Sequence, residues 1–277
     1  MKVKPTNKKL WKSFGGYVSI INTALSLILM FVSVPDNSAL KIWLAAIFVV
    51  VLIALFCFLW WKANNTTSVR LKINSTSIVV KFGDIFQQSD TLKVIPFNEY
   101  FDTIMDDEVI SLDSLHGQYI QKYSGVSAEE LRRLIDSDRN LKKHIAVVDT
   151  KRAVGSQVAY ELGTVYKHND YLLVAFSKFD KNNCAYLDNK QLWNCLINMW
   201  ENLDIIHNGH SISLPLLGTG ITRLRGMNLS EQQLLELLLV SLRFSGVKFN
   251  WNVTISIVVY QGNMNMINLY GLTEYSD

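Results

Sequence analysis

The residues best suited to chemistry lie in Ser211–Gly226, SISLPLLGTGITRLRG. A short apolar run, Ile212–Leu217, breaks at Gly218-Thr219-Gly220, and Arg223 and Arg225 follow. Glycine lets backbone N–H groups approach an anion with no Cβ in the way, and arginine pairs phosphate oxygens as a fork. Ser230 with Gln233 forms a capping box and Leu229 with Leu234 a hydrophobic staple, so a helix starts just beyond. Strand, glycine turn and helix is the order a phosphate cradle needs. It is equally the order of an ordinary strand-to-helix connection, and Arg223 and Arg225 read as either phosphate partners or surface residues.

Three other loops leave apolar strands on polar or glycine residues: Gly83-Asp84-Ile85, Asn98 onward, and Leu162-Gly163-Thr164. Open α/β sheets bind ligands beyond the C-terminal ends of their strands. With those strands as neighbours, Asp84 can accept from the exocyclic amine of a base, Asn98 can bond a ribose hydroxyl, and the loop at 218–226 can hold a diphosphate. That set fits a nucleoside diphosphate better than a metal or a peptide. The histidines, His116, His144, His168, His207 and His210, show no ligand-like spacing with acids or cysteines, and no nucleophile–base set stands out. Cys57, Cys184 and Cys195 are scattered, which fits a reducing compartment. His116 beside Gly117 reads either as a ligand contact or as a loop histidine satisfied by backbone. Asp106, Asp107 and Glu108 read as a solvated loop, with contact to a ligand as the alternative. Lys151 and Arg152 follow a strand and could reach the same crevice. Trp193 and Trp200 fall on the core face of a helix.

The elements that must position these residues follow from periodicity. Val69–Asn74, Thr76–Phe82 and Leu92–Phe97 read as strands. A capping box at Ser127–Glu130 opens a helix to about Lys143, and Ile145–Asp149 and Tyr171–Phe176 read as buried strands. Leu187–Ile206 is an amphipathic helix, another runs to about Phe244, and Val253–Tyr260 is the last strand. Interleaved strands and helices predict one α/β domain over 69–277. A net charge of +3 gives no support for nucleic-acid binding.

The first 62 residues are of another kind. Residues 1–12 carry five lysines and no acid, residues 13–35 carry no charge, and the 20 residues 42–61 are again uncharged. Twenty helical residues rise roughly 30 Å, the thickness of the hydrocarbon layer. Trp11, Tyr17, Trp43, Trp60 and Trp61 mark the ends of the runs. A transmembrane hairpin over 13–62 is expected, with spans of about 14–34 and 42–61, then a linker at 63–68. The first run is too long for a cleaved signal peptide. Lysines precede the first span, Lys62, Arg70 and Lys72 follow the second, and the turn between carries only Lys41. Both termini are therefore expected in the cytoplasm, with the chain in the inner membrane. Ser19, Asn22, Thr23, Ser26 and Ser33 fall within an arc of roughly 100°. That stripe either bonds across to the second span or meets neighbouring copies and lines a wet path.

Several motifs in order carry a family resemblance. Ser77–Phe86, SIVVKFGDIF, is similar to the macro-domain strand that ends in a Gly-Asp-Ile turn. Val94–Asn98 stands where that family has a strand running into asparagines; Glu161–Phe176 and Ser211–Ile221 resemble its later strand segment and second phosphate loop. With the hairpin, Asn98–Thr103, Ser114–Gly117 and Leu216–Gly220, nearly the whole chain resembles the macro-domain form of the Thoeris antiphage effector family, ThsA. The fold class implied is α/β: a macro-domain-like mixed sheet flanked by helices, preceded by a two-helix transmembrane hairpin.

The resemblance implies a signal receptor and not an enzyme. In that family a TIR-domain partner consumes NAD and makes an ADP-ribose conjugate, histidine-ADP-ribose. The macro domain binds this second messenger, copies of the chain assemble, and the membrane part disrupts the lipid bilayer, ending in abortive infection. Carried over by position, Asp84 contacts the adenine amine and Ile85 the adjoining backbone site, while Leu217, Gly218, Thr219, Gly220 and Ile221, with Arg223, hold the diphosphate. Asn98, Ser114, His116, Gly117, Gly163 and Thr164 complete the candidate ligand-binding set. No cofactor, metal or nucleic acid is implied. The usual asparagine pair is reduced to Asn98 followed by Glu99-Tyr100-Phe101, and the triple-glycine loop is replaced by Ser114–Gly117. Both departures weaken the alternative, a membrane-anchored ADP-ribosyl hydrolase.

Overall fold

The computed structural model describes residues 3–32, 35, 37–107, 109–180, 183–220 and 222–277. It divides into two compact units: Met1–Thr67 with Asn268–Gly271, and Ser68–Ile267 with Leu272–Asp277.

The first unit is built on α1 (Lys8–Phe31) and α2 (Ser38–Asn64), both long and apolar enough to cross a membrane. Each starts a few residues before the apolar run because an asparagine caps it. Asn7 Oδ1 accepts from the Lys9 and Leu10 N–H groups, and Asn37 Oδ1 from those of Ala39 and Leu40. Trp11 and Phe14 pack their rings on Phe56, with centroids 5.0 and 5.5 Å apart. The polar stripe makes no bond across to α2 among the described residues. Ser19 Oγ donates to Gly15 O and Thr23 Oγ1 to Ser19 O, within their own helix, while Asn22 and Ser26 are exposed. Ser33 lies outside the described residues.

In the second unit, β1 (Ser68–Ile73) and β2 (Thr76–Gly83) form a hairpin. Its turn residues, Asn74 and Ser75, sit at φ 50° and 65°, the left-handed pair a two-residue hairpin requires. The chain continues through β3 (Leu92–Asn98), α3 (Leu115–Gln118), α4 (Ala128–Ser137), β4 (Ile145–Val148), β5 (Val158–Tyr160), β6 (Val165–His168) and β7 (Tyr171–Phe179). It ends with β8 (Ala185–Leu187), α5 (Asn189–Ile206), β9 (Ile212–Pro215), β10 (Arg223–Leu224), α6 (Glu231–Ser245) and β11 (Thr254–Tyr260). Among the described residues nine strands form one mixed sheet in the order β1-β2-β11-β9-β3-β7-β8-β10, with β6 paired to β7. The run β2, β11, β9, β3, β7 is parallel throughout, so five strands present their C-terminal ends along one edge. Central strands buried on both faces need continuous apolar runs, and VIPF in β3 and LLVAF in β7 supply them. Leu131 and Ile135 of α4 belong to the same core cluster as Ile95, Phe97, Leu173 and Ala175. Between α5 and α6, Trp200 is buried with its indole N–H donated to Ser241 Oγ at 2.8 Å.

Two expectations are corrected. The helix opened at Ser127 stops at Ser137, short of Lys143, because Asp138 turns extended and its carboxylate caps the next turn through Leu141 N. The strand expected buried at 145–149 is β4, exposed along its whole length. An apolar run shows that a strand forms but not what covers it. Here β4 pairs with β5 in a separate two-stranded ribbon.

Candidate functional site

The parallel edge brings three candidate segments onto neighbouring strands. β2 ends at Gly83, β11 at Tyr260, directly opposite Gly83, and β9 at Pro215, opposite Val258. Asp84 therefore leaves β2 beside Tyr260, with the glycine loop next along. Asp84 Oδ1 caps the short turn Ile85–Gln87 by accepting from Phe86 N at 2.9 Å. Its second oxygen has no hydrogen bond among the described residues and can take an amine. The Ile85 side chain is buried in the core, so only its backbone can meet a ligand.

The loop after β9 is shaped for a close approach. Leu216 and Leu217 are buried and anchor it. Gly218 sits at φ +85°, a left-handed conformation that glycine adopts without strain. Thr219 Oγ1 donates to Leu216 O at 2.9 Å and closes the turn. Gly220 is exposed, and a Cβ there would meet nothing within 4 Å. Ile221 lies outside the described residues. The arginines beyond are differently placed. Arg223 is exposed in β10, opposite Tyr186 of β8. Arg225 pairs with Asp180 at 3.0 Å and lies 3.7 Å over the Tyr186 ring, so its guanidinium pins the loop to the β7–β8 turn.

At the end of β3 the structure departs from the simple expectation. Asn98 is buried and its side chain is spent on its own turn: Oδ1 accepts from Tyr100 N and Asp102 N, and Nδ2 donates to Asp102 Oδ2. Asp102 is the hub. It also accepts from both terminal nitrogens of Arg152, at 3.0 and 2.7 Å, and from Ser156 N at 2.8 Å. Arg152 stacks on Tyr100 at 3.8 Å. Beside it Glu99 Oε1 accepts from Phe179 N, and Oε2 stands 3.7 Å from Lys178 Nζ. Burial pushes the Glu99 carboxyl up, against the pull of Lys178 and Arg152.

The other candidates have partners within the fold. His116 is buried on the Phe97 ring at 3.5 Å, with Nε2 2.8 Å from Asp102 O. Burial lowers its pKa to about 4, so it is neutral at pH 7. Ser114 Oγ caps α3 through Gly117 N. A Cβ on Gly117 would come within 2.3 Å of Ser111 O, so the backbone itself requires glycine. Gly163 and Thr164 are drawn to α5 and not to the crevice: a Cβ at Gly163 would strike Cys195 O and Asn198 Cβ at 2.6 Å, and Thr164 lines a polar hollow with Asn198 and Asn202. Asp106 and Asp107 cap turns through Val109 N and Leu112 N, and Glu108 lies outside the described residues. No group of acids, histidines and cysteines able to hold a metal occurs among the described residues.

Tyr260, 71% exposed where β11 ends opposite Gly83, was not among the residues singled out from the sequence. An aromatic closing the last parallel strand was the available signal.

A mixed sheet with a parallel core, an acid after its second strand and a glycine loop on its C-terminal edge defines a macro-type domain. The profile of the Thoeris protein ThsA macro domain matches residues 78–260. The chain is also 35% identical over 266 residues to the Thoeris protein ThsA of Bacillus amyloliquefaciens (strain Y2), covering 93% of this chain and 88% of that protein. Solved macrodomains of Oceanobacillus iheyensis are similar at 13% identity: one with ADP (TM-score 0.46, 75% of this chain and 95% of that one) and a mutant with ADPR (TM-score 0.47, 75% and 97%). The chain belongs to the ThsA family of Thoeris proteins, in its macro-domain form.

Proposed function

We propose that this protein is a membrane-anchored effector of antiphage defence whose macro domain receives an ADP-ribose-type signal. One observation carries the reading: in a ThsA family member, Asp84, Tyr260 and the open loop Leu216–Gly220 stand on three adjacent strand ends. Adenine stacks on Tyr260 with its amine at Asp84, and the diphosphate lies along the amides at 218–220. The signal is histidine-ADP-ribose, made by a TIR-domain partner. Binding without turnover is favoured because Asn98, where family hydrolysis would be sought, is consumed by the Asp102 hub.

α1 and α2 form a membrane hairpin with both termini cytoplasmic. Signal binding drives homo-oligomer formation, the exposed stripe at Ser19, Asn22 and Ser26 meets its counterpart in a second copy, and the bilayer is breached. Binding energy acts here only through higher affinity for the assembled state. Dye-loaded vesicles carrying the full chain test this: histidine-ADP-ribose should release dye, Asn22→Leu with Ser26→Leu should abolish release, and the ligand should be recovered intact. Leakage without signal, or cleaved ligand, contradicts the reading.

A further inference from the structure

We infer that β4 and its flanks form a second membrane contact, a face of the soluble domain that docks on an anionic lipid surface. Ile145 and Val148, which pair with Tyr160 and Val158 and so share one face of the ribbon, are 39% and 56% exposed, Val147 is exposed on the other face, and Val154 is exposed in the β4–β5 loop. An apolar strip uncovered on a strand of this kind marks an interaction surface. Its borders are basic. Arg139, Lys142, Lys143 and Lys151 are all exposed. The acids nearby have local partners: Asp138 accepts from Leu141 N, Asp149 from Lys151 N, and Glu161 stands 3.8 Å from His144 Nδ1. Apolar side chains ringed by cations suit the boundary of an anionic bilayer, where hydrocarbon meets phosphate.

The alternative occupant, a strand from a second copy, fits less well. The β4 ladder to β5 shifts register between Ile145 and Val147, leaving a bulge at Ala146. A bulge breaks the regular edge that strand addition needs, and flanking lysines repel an identical flank. The proposal rests on reading α1–α2 as a membrane hairpin. On that reading only residues 65–67 separate α2 from β1, a reach of about 10–14 Å. The ribbon also meets the ligand edge. The β4–β5 loop carries Arg152 and Ser156, which hold Asp102, and Tyr160 N donates to Glu99 O. A ligand that shifts the Asp102 hub therefore acts on the docked strand.

The test uses the full chain in nanodiscs, with Cys57→Ser and Cys184→Ser and an environment-sensitive dye on Val148→Cys. The same dye on Lys190→Cys, exposed at the start of α5, is the reference. In phosphatidylglycerol-containing discs the dye at 148 should shift to the blue and that at 190 should not. Pure phosphatidylcholine or high salt should remove the shift. Lys142→Glu with Lys143→Glu should lower the ratio of docked to undocked protein more than tenfold, at a factor of about five per lysine. Equal emission at 148 and 190 in both lipids, from a chain that has inserted, overturns the docking alone. A chain that never enters the discs overturns the hairpin reading and this proposal with it. A shift in both lipids that appears only with two copies per disc assigns the strip to protein contact and overturns it too.

Discussion

Removing Arg152 should cost far more than removing a surface arginine. Its guanidinium gives two bonds to Asp102, at 3.0 and 2.7 Å, and a third to Ser156 O at 2.6 Å. The Asp102 side chain is wholly buried. Deleting one partner of a buried pair strands the other charge, at about 3–5 kcal/mol. Arg152→Ala should lower the unfolding free energy by that amount, and so should Asp102→Ala. Arg152→Lys keeps the charge but not the fork, and should recover only part of the loss. The double variant strands no charge, so its loss should fall short of the sum by about 2–3 kcal/mol. Urea unfolding of the unaltered chain and the four variants in detergent, followed by circular dichroism, measures this cycle. Two single losses each under about 1 kcal/mol, and additive, would mean the pair behaves as a surface ion pair and would refute the hub.

Burial lowers the His116 pKa to about 4 from the ordinary 6.5, so the unfolded chain binds the extra proton first. Its contribution is therefore complete above pH 6.5 and lost as pH falls towards 4, about 3 kcal/mol in all. His116→Gln should flatten that limb of the stability–pH curve; identical limbs would contradict it. Gly117→Ala should destabilise by about 1–3 kcal/mol, since its Cβ would sit 2.3 Å from Ser111 O, whereas Gly220→Ala, in open space, should be neutral in thermal unfolding. Tyr260→Ala should leave the melting temperature unchanged but weaken histidine-ADP-ribose binding about tenfold by calorimetry, the worth of one base–aromatic stack.

Much of this was legible in the sequence. The parallel strands announced themselves as apolar runs, and α6 through its capping box and Gly246, which closes the helix at φ +70°. The glycine loop was legible because its neighbours, a short strand and a capped helix, left it one place to be. The role of Asn98 was not. Its partners Asp102, Arg152 and Ser156 come together only through the fold, and a polar residue after a strand looks the same whether it faces ligand or its own turn. Gly163 misled for a similar reason: a glycine can admit a phosphate or, as here, a helix backbone. The β4 strand was found but its exposure was not, because nothing local records the absence of a covering layer.

The central claim is that the edge formed by Asp84, Tyr260 and Leu216–Gly220 binds an ADP-ribose-type signal. Calorimetric titration of the full chain with histidine-ADP-ribose, beside Asp84→Ala and with mass spectrometry of the mixture, tests it most directly. Binding should be saturable, the ligand should stay intact, and the affinity should be about tenfold lower or worse in the variant, as loss of a hydrogen bond to a charged acceptor implies. Unchanged affinity in Asp84→Ala, or a cleaved ligand, would contradict it.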